Sequence, residues 1–416
     1  MSLIAFLMDF EEGHLFPSFG LARALKGLGH TICYIGILDN EELITSQGFD
    51  FFPVFRELYP KGFMESNRLL TANRGFEKAT SSKRHIIDSM DKAIASFLIE
   101  KTPSLLIVSC FLQVEALILF YKFNITPVIF TTFLKEAGTD LASRCIEEIM
   151  EMEGDEILLL IDFLKEQGTE INSLAELVSP MNGFPELVAC PAELEIDRPA
   201  SRQNVHYLGP SIDRIESPAS LSSLQEMDAG KPLIFASMGS QTAAYGEVSN
   251  RVFRALLNVM KRPDMHSLHL ALSTGGSEDK GNLPPVPPNV TIARWLPQVE
   301  VLKVASLAII HGGLGTVKEC IYHGVPMVVL PVTRDQPSNA KRVEYHRLGA
   351  FIPLDRLTED NLHSAMLAVL QSDDIRQSVV RMKRVFRQRE ISDDGTAVIN
   401  ELLTRAKNKL PNYGVL

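Results

Sequence analysis

The chain has 416 residues, of which 45% are hydrophobic and 22% are charged. This length exceeds one ordinary core and predicts two domains of roughly 200 residues each, and the composition is that of a globular protein. The formal net charge of −10 argues against a broad basic face for nucleic acid.

The cysteines and the N-terminal residues bear on the compartment. The five cysteines have no CxxC spacing, which argues against both a disulfide framework and a zinc site. Residues 1–9 lack basic side chains and form too short an apolar run for a signal peptide. No stretch approaches the roughly 20 apolar residues of a membrane span. We therefore expect a cytoplasmic, reduced protein.

Short apolar runs alternate with amphipathic segments along the chain. Strands are predicted at residues 3–8, 31–37, 105–110 and 127–132, and again at 233–238, 269–274, 290–295, 307–311, 327–331 and 351–354. Runs that are apolar on both faces are typical of parallel strands covered by helices. The alternation predicts an α/β protein with two Rossmann-like, doubly wound parallel sheets that face a central cleft. Ligands of such sheets bind at the carboxyl ends of the strands.

A region rich in Pro, Ser, Asp and Gly separates the two sets of strands. We therefore predict a first domain at residues 1–212, a linker at 213–230, a second domain at 231–395 and a C-terminal helix, 396–416, that packs back toward the first domain. Residues 136–178 interrupt the first set with a helical pattern. This insertion is compatible with a variable pocket and equally with ordinary packing helices.

Residues 295–340 have the features of an anion-binding site. The strand that ends at His311 is followed by Gly312, Gly313 and Gly315, and a helix is predicted from about Thr316. Glycines let the backbone approach a ligand closely, and a helix N-terminus offers unpaired N–H groups to an anion such as a diphosphate. Glu319, one turn into the helix, suits the hydroxyls of a ribose.

The flanking residues extend this pattern. Trp295 ends a strand and offers a flat face to a base, with Leu296 and Gln298 beside it. Asp335 and Gln336 follow the next strand, where a carboxylate and an amide suit sugar hydroxyls.

This combination resembles the donor signature of the UDP-glycosyltransferase superfamily, which has the GT-B fold. The matching elements are Trp295-Leu-Pro-Gln298, His311-Gly-Gly-Leu-Gly-Thr316-Val-Lys-Glu319, Gly324-Val-Pro326, Pro331 and Asp335-Gln-Pro-Ser-Asn-Ala340. Plant members usually have Trp-Asn where this chain has Leu314-Gly315, so the chain looks closer to the bacterial macrolide and antibiotic glycosyltransferases.

The resemblance implies a role for each matching residue. Trp295 would stack on the base, with Leu296 beside it, Gln298 would bind the base edge or the ribose, and Glu319 would bind the ribose. The diphosphate would lie against His311, Gly313, Gly315 and Thr316, and also against Ser240 after the first strand of the second domain. Asp335 and Gln336 would hold the sugar.

The catalytic base is predicted at His14. The segment Gly13-His14-Leu-Phe-Pro17 follows the first strand and resembles the family's G-H-x-x-P element. A base must take a proton from the acceptor hydroxyl as that hydroxyl attacks the anomeric carbon, and histidine suits this step near neutral pH.

One position departs from the family pattern. The family usually supplies an Asp that orients the histidine, and the aligned residue here is Ser109. A serine can orient an imidazole by hydrogen bonding but cannot offset its charge. Asp9, Glu11 or Glu12 would be the substitutes for the missing carboxylate.

The resemblance implies an inverting transferase that moves a hexose, with glucose as the default. The donor would be a UDP- or TDP-sugar, bound by the second domain, 231–395. The acceptor would be a hydroxyl of a lipophilic small molecule, bound by the first domain, 1–212. Aromatic residues of the first domain suggest an apolar acceptor pocket; they are Phe16, Phe19, Phe51, Phe52 and Phe55. No DxD motif is present, so we expect activity without a metal or another cofactor.

The alternatives belong to other classes. A dehydrogenase would have GxGxxG after the first strand and a nucleoside triphosphatase would have GxxxxGK[ST], and neither is present. A GT-B enzyme such as a sugar-nucleotide epimerase stays open, as does a non-catalytic homologue that acts as a binding or accessory protein.

Overall fold

The structure, a computed structural model, describes residues 1–66, 83–135, 141–143, 155–196, 204–212, 230–239, 242–275, 283–392 and 394–407. Within this part of the chain, two parallel sheets form the two domains. The first sheet contains β1 (Leu3–Leu7), β2 (Thr31–Gly36), β3 (Asp50–Pro53), β4 (Leu105–Ser109), β5 (Val128–Thr131), β6 (Glu186–Val188) and β7 (Val205–Tyr207), in the order β3-β2-β1-β4-β5-β6-β7.

Helices cover both faces of this sheet. They are α1 (Glu12–Gly27), α2 (Glu41–Ser46), α3 (Lys83–Lys101), α4 (Gln113–Tyr121), α5 (Asp155–Glu166) and α6 (Leu174–Val178). The side chains of β1 alternate between the two faces: Ala5 and Leu7 join one core, and Ile4 and Phe6 join the other. This alternation places apolar residues on both faces, which explains the unbroken apolar runs in the sequence.

The second sheet has the same plan. It contains β8 (Leu233–Ser237), β9 (His269–Ser273), β10 (Val290–Ala293), β11 (Ala305–Ile310), β12 (Met327–Val329) and β13 (Gly349–Phe351), in the order β10-β9-β8-β11-β12-β13. Its helices are α7 (Thr242–Tyr245), α8 (Glu247–Met260), α9 (Gln298–Leu302), α10 (Leu314–His323), α11 (Gln336–Tyr345), α12 (Glu359–Gln371), α13 (Asp373–Ser392) and α14 (Asp394–Lys407). The predicted fold of two doubly wound parallel sheets is confirmed.

The C-terminal helices connect the two domains. Helix α14 packs its Ile399 and Leu403 into the core of the first domain, beside Leu21 of α1 and Leu208. The chain passes so close to α13 at Gly209 that a Cβ there would lie 3.0 Å from the carbonyl oxygen of Arg389. The C-terminal residues therefore stabilise the arrangement of both domains.

Three strands were missing from the sequence prediction, namely β3, β6 and β7. Each has only three or four residues, and each carries polar positions such as Asp50, Glu186 and His206. Glu186 is buried because Lys135 and Thr131 bind its two carboxylate oxygens, each at 2.6 Å. Such pairing depends on tertiary contacts that periodicity does not reveal.

The described part of the 136–178 insertion consists of packing helices. Leu160, Ile161, Phe163 and Leu164 of α5 are buried in the core of the first domain. Of the linker predicted at 213–230, residues 213–229 lie outside the described residues. No helix in the described ranges is long and apolar enough to cross a membrane.

Candidate functional site

Both sheets reverse their strand order at their first strand. Strand β1 lies between β2 and β4, and β8 lies between β9 and β11. The loops that leave two such neighbouring strands diverge and open a crevice at the carboxyl edge of the sheet. His14 follows β1 and Ser109 ends β4, whereas Gly239 follows β8 and His311 follows β11. The predicted catalytic and donor residues thus lie at the two switch points.

The loop between β11 and α10 requires glycine. Gly312 has a φ of +93°, and a Cβ there would lie 2.7 Å from the side chain of Val329. At Gly313, the N-cap of α10, a Cβ would lie 2.6 Å from Nε2 of His311. The backbone therefore turns tightly into the helix, and the first N–H groups of α10 face the cleft without intrahelical partners. This is an anion-binding arrangement.

The imidazole of His311 is enclosed beside these groups. A Cβ at Gly239, whose φ is +82°, would lie 2.6 Å from Cε1 of His311. Burial lowers the pKa of His311 to about 4, so the ring is neutral near neutral pH. Its buried Nδ1 has no hydrogen-bond partner among the described residues. A neutral imidazole offers one N–H, which suits a phosphate oxygen.

Three side chains form a network at the start of α9 and α10. Nε2 of Gln298 donates to Oγ1 of Thr316 at 3.2 Å and also to Oε2 of Glu319. The hydroxyl of Thr316 thereby keeps its own proton for another acceptor. The predicted ribose and diphosphate residues are therefore held together before any ligand is bound.

Trp295 lies beside this network with 52% of its surface exposed. A tryptophan held in a core would be buried, so the exposed ring is available for stacking on a base. Leu296 differs from the prediction: its side chain is buried in the core of the second domain. Only the backbone of Leu296 can therefore contact a nucleotide.

The predicted sugar residues are placed differently from each other. Asp335 is the N-cap residue of α11, and its Oδ2 accepts a hydrogen bond from Nδ2 of Asn339 at 2.8 Å. Nδ2 of Asn339 also donates to the carbonyl oxygen of Gly312 at 2.9 Å. This buried amide therefore connects the glycine loop to the carboxylate of Asp335.

Gln336 corrects the prediction for the sugar. It is only 3% exposed, and its Oε1 accepts from the N–H groups of Val332 and Thr333 at 2.8 and 3.1 Å. Its Nε2 donates to the hydroxyl of Tyr245 at 2.9 Å. Because these bonds hold the loop after β12, Gln336 positions its neighbours and has little left to offer a sugar.

Tyr245 is a residue that the sequence analysis missed. Burial is the main cause that raises the pKa of Tyr245; the hydrogen bond with Gln336 and the charge of Arg334 lower it, and the charges of Asp335 and Glu11 raise it. Since its oxygen accepts from Gln336, the phenolic proton is free to point at a ligand. No motif marked this position, because α7 is a single short turn.

The predicted catalytic residue His14 lies between an aromatic ring and a carboxylate. The imidazole of His14 stacks on Phe111, with ring centroids 4.2 Å apart and planes at 18°. Nδ1 of His14 lies 3.6 Å from Oδ2 of Asp9. Ser109 is fully buried, and its Oγ accepts from the N–H of Phe111 at 3.4 Å. Nδ1 of His14 has no hydrogen-bond partner among the described residues, so Ser109 does not orient the ring through that nitrogen.

The remaining predicted residues are Gly315, Ser240 and the phenylalanines of the first domain. Gly315 is exposed, and a Cβ there would meet open space. Ser240 lies outside the described residues. Of the five phenylalanines predicted to form an acceptor pocket, Phe19 is buried in a core of the first domain. The other four pack against its cores and are partly exposed, namely Phe16, Phe51, Phe52 and Phe55. A different aromatic group is found beside the loop after β1, formed by Phe10, Tyr59 and Phe63, whose ring centroids lie 4.8 to 6.3 Å apart.

In the described ranges, no three His, Cys, Asp or Glu side chains are grouped in a way that would hold a metal ion. The four described cysteines, Cys33, Cys110, Cys190 and Cys320, are reduced thiols buried in the core. Burial raises the pKa of Cys33 to about 11 and that of Cys190 to about 12, so both stay protonated and act as small core residues. Cys145 lies outside the described residues.

Comparison with known proteins identifies relatives of this chain. Residues 280–401 match the family described as UDP-glucoronosyl and UDP-glucosyl transferase. The chain is 26% identical over 416 residues to demethyllactenocin mycarosyltransferase of Streptomyces fradiae, a match that covers 98% of this chain and 87% of the relative.

A second relative is the NDP-glycosyltransferase YjiC of Bacillus subtilis, which is 27% identical over 220 residues. That match spans 53% of this chain and 54% of the relative, so this chain covers about half the length of YjiC. Among solved structures, the glycotransferase of kitacinnamycin matches 97% of this chain and 99% of its own, with a TM-score of 0.73 and 22% identity. This likeness shows that the fold is shared along almost the whole chain.

Proposed function

We propose that this chain, a member of the UDP-glycosyltransferase superfamily with the GT-B fold, is an inverting glycosyltransferase. It transfers a hexose from a UDP- or TDP-sugar to a hydroxyl group of a lipophilic small molecule. The observation that carries the proposal is the convergence of the exposed Trp295, the Gln298–Thr316–Glu319 network and the N-terminus of α10 on one edge of the second sheet.

The donor would bind along this edge. The base stacks on Trp295, the ribose meets Glu319, and the diphosphate lies against the N-terminus of α10 beside Thr316 and His311. Asp335 and Tyr245 would then face the sugar, because hydrogen bonds through Asn339 and Gln336 hold them next to the glycine loop and the loop after β12. These groups are fixed before the donor arrives, and such preorganised donors stabilise the charge that develops on a leaving diphosphate.

The transfer itself is a single displacement. Nε2 of His14 takes the proton of the acceptor hydroxyl while the acceptor oxygen bonds to the anomeric carbon. The bond from that carbon to the β-phosphate oxygen breaks, and its electron pair leaves with the diphosphate. Base and leaving group approach from opposite domains, so the attack comes from the face opposite the diphosphate and inverts the anomeric centre.

Glucose was the default sugar, and Gln336 was predicted to bind its hydroxyls. In the structure Gln336 is buried and hydrogen-bonded to Val332, Thr333 and Tyr245, which weakens this reason for choosing glucose. The sugar preference would then depend on Asp335 and Tyr245. The aromatic group of Phe10, Tyr59 and Phe63, close to the catalytic loop, favours an acceptor with an apolar or aromatic ring. The chain's relationship to a transferase named for a mycarosyl group agrees with a hexose-like donor.

Trp295 is the single tryptophan of the chain, which makes donor binding measurable. UDP, TDP and UDP-glucose are titrated while the fluorescence of selectively excited tryptophan is followed, with correction for inner-filter absorption and with NADH as the control nucleotide. We expect saturable quenching by a uridine or thymidine diphosphate and none that saturates with NADH. No response to any nucleotide in a folded sample would contradict the donor site and favour a non-catalytic homologue.

Substitution of the same residue gives a second test. Trp295→Ala should weaken the donor affinity by roughly 10- to 100-fold, because stacking of a base on an aromatic ring contributes about 1–3 kcal/mol. The free energy of unfolding should hardly change, because the side chain is half exposed. Trp295→Phe is the matched control and should keep most of the affinity. Since these variants have no tryptophan fluorescence, their affinities are measured by isothermal titration calorimetry.

Turnover is tested with phenol and alcohol acceptors by the release of nucleoside diphosphate. We expect His14→Ala to abolish transfer and to leave the donor affinity unchanged, and we expect activity to persist in EDTA. NMR of the glycosylated product reports whether the anomeric configuration is inverted. An activity in His14→Ala equal to that of the wild type would contradict the assignment of the base.

A further inference from the structure

The loop after β1 places a carboxylate beside the proposed base. Oδ1 of Asp9 accepts the backbone N–H of Glu11 at 2.8 Å, and Oδ2 lies 3.6 Å from Nδ1 of His14. Both side chains are mostly buried, with 16% of Asp9 and 19% of His14 exposed. One oxygen thus fixes the carboxylate to its own loop, and the other is directed at the imidazole.

Nδ1 is the imidazole nitrogen that faces this carboxylate. Nδ1 of His14 is buried and has no hydrogen-bond partner among the described residues, and a buried polar atom that stays unsatisfied is destabilising. A separation of 3.6 Å exceeds the usual hydrogen-bond limit, but catalytic hydrogen bonds are often long in unliganded enzymes and shorten in the reacting complex. A small rotation of either side chain would close this one.

Ser109 stands where the family usually has its orienting carboxylate, and this serine makes a different hydrogen bond. The hydroxyl of Ser109 binds the N–H of Phe111, and the ring of Phe111 stacks on His14. Ser109 therefore holds the aromatic ring that covers one face of the imidazole. Two neighbouring loops thus position the imidazole together, because Phe111 sets the plane of the ring and Asp9 approaches its Nδ1 edge.

We propose that Asp9 is the positioning residue of the catalytic histidine, so that the orienting carboxylate comes from the loop after β1 and not from the end of β4. This inference rests on the proposed function, because it assumes that His14 is the base. By accepting Nδ1–H, Asp9 leaves the lone pair of Nε2 free to take the acceptor proton. Once Nε2 is protonated, the carboxylate offsets the charge of the imidazolium.

Asp9→Asn is the informative substitution, because an Asn side chain can still accept the N–H of Glu11 and so preserve the loop. We expect kcat to fall at least about tenfold, with the donor affinity measured through Trp295 unchanged. Asp9→Glu should recover part of the rate. Glu42→Gln removes an equal charge from an exposed position in α2 of the same domain and should match the wild type.

A purely structural role for Asp9 predicts other results. If Asp9 acts through His14, the loss of kcat in Asp9→Asn should shrink as the phenol acceptor becomes more acidic, because a more acidic phenol depends less on the base. An equal loss with every phenol, or a weakened donor affinity, would overturn the proposal.

The state of the ring can also be observed without turnover. Long-range ¹H–¹⁵N NMR of histidine side chains, with the His14 signals assigned from His14→Ala, reports the tautomer at about pH 8, where an ordinary imidazole is neutral. We expect the Nδ1–H form in the wild type and a shift toward the Nε2–H form in Asp9→Asn. Identical spectra would overturn the role of Asp9 even in an active enzyme, whereas the expected shift in an inactive protein would refute only the proposed function.

Discussion

The donor site contains a histidine whose surroundings exclude its charged form. The ring of His311 lies between Gly239 and Gly313, where a side chain at either glycine would collide with it. Burial lowers the pKa of His311 to about 4 from an ordinary value of 6.5. Near neutral pH the proposed site would therefore present a neutral N–H to a bound diphosphate, and the negative charge would be met by the helix N-terminus.

This neutral histidine predicts a pH dependence of stability. Between about pH 4 and 6.5 the unfolded chain binds a proton at His311 that the folded chain does not, so stability rises with pH in this window and is lost as the pH falls. Urea unfolding at several pH values should show a shallower slope for His311→Gln than for the wild type. The exposed His266→Gln is the control and should keep the wild-type slope; equal slopes for all three proteins would contradict the prediction.

Some single-residue roles are visible in the sequence, and others are not. His14, His311, Glu319 and Asp335 stand in recognisable spacing after predicted strands, and the structure brings them to the cleft edges. Tyr245 was not predicted, because its role depends on a hydrogen bond from Gln336, 91 residues away. Gln336 was placed correctly in the chain, but its burial follows from the packing of the loop after β12.

At the scale of elements, helix α10 organises the donor site. It begins directly after the glycine loop and ends at Gly324, which adopts the left-handed conformation with a φ of +82°. Its third residue, Thr316, joins the network with Gln298, and Glu319 follows one turn later. One short helix therefore fixes the spacing between the diphosphate and ribose positions, which explains why the sequence pattern is so regular there.

Gly315 allows the two roles of this helix to be separated. It lies in the first turn, and a Cβ there would meet open space, so Gly315→Ala should raise the free energy of unfolding by about 0.5–1 kcal/mol. If the diphosphate occupies that space, the same substitution should weaken the donor affinity several-fold. Denaturant unfolding and the Trp295 titration measure the two effects, and an unchanged affinity would show that the diphosphate lies elsewhere.

At the scale of the whole molecule, buried contacts connect both donor-site helices to the first domain. Nζ of Lys318 in α10 donates to the carbonyl oxygen of Ala189 at 2.6 Å. Arg342 in α11 binds Glu195 and the carbonyl oxygen of Lys135 at 2.8 and 2.7 Å. The helices that hold the donor are thereby fixed relative to the domain that carries His14.

Arg342 should therefore affect both stability and catalysis. Its pair with Glu195 is nearly buried, with 5% and 9% of the side chains exposed, and removal of one partner from such a pair costs about 3 kcal/mol or more. We expect Arg342→Ala to lower the melting temperature, to separate the unfolding of the two domains in calorimetry, and to reduce kcat more than donor affinity. Arg405→Ala, which removes an exposed pair with Glu401, is the control. If Arg342→Ala still unfolds in one transition at the wild-type temperature, Arg342 does not link the two domains.

The sequence by itself determined the α/β class, the two parallel sheets, most of their strands and the order of the donor residues. These features depend on short-range patterns: apolar runs for buried strands, and glycines before a helix for an anion site. The tertiary structure alone decided which side chains are available to a ligand. It exposed Trp295 and buried Leu296 and Gln336. It also revealed Tyr245 and placed Asp9, one of three acidic candidates, beside His14, because burial and hydrogen-bond partners depend on how the chain packs.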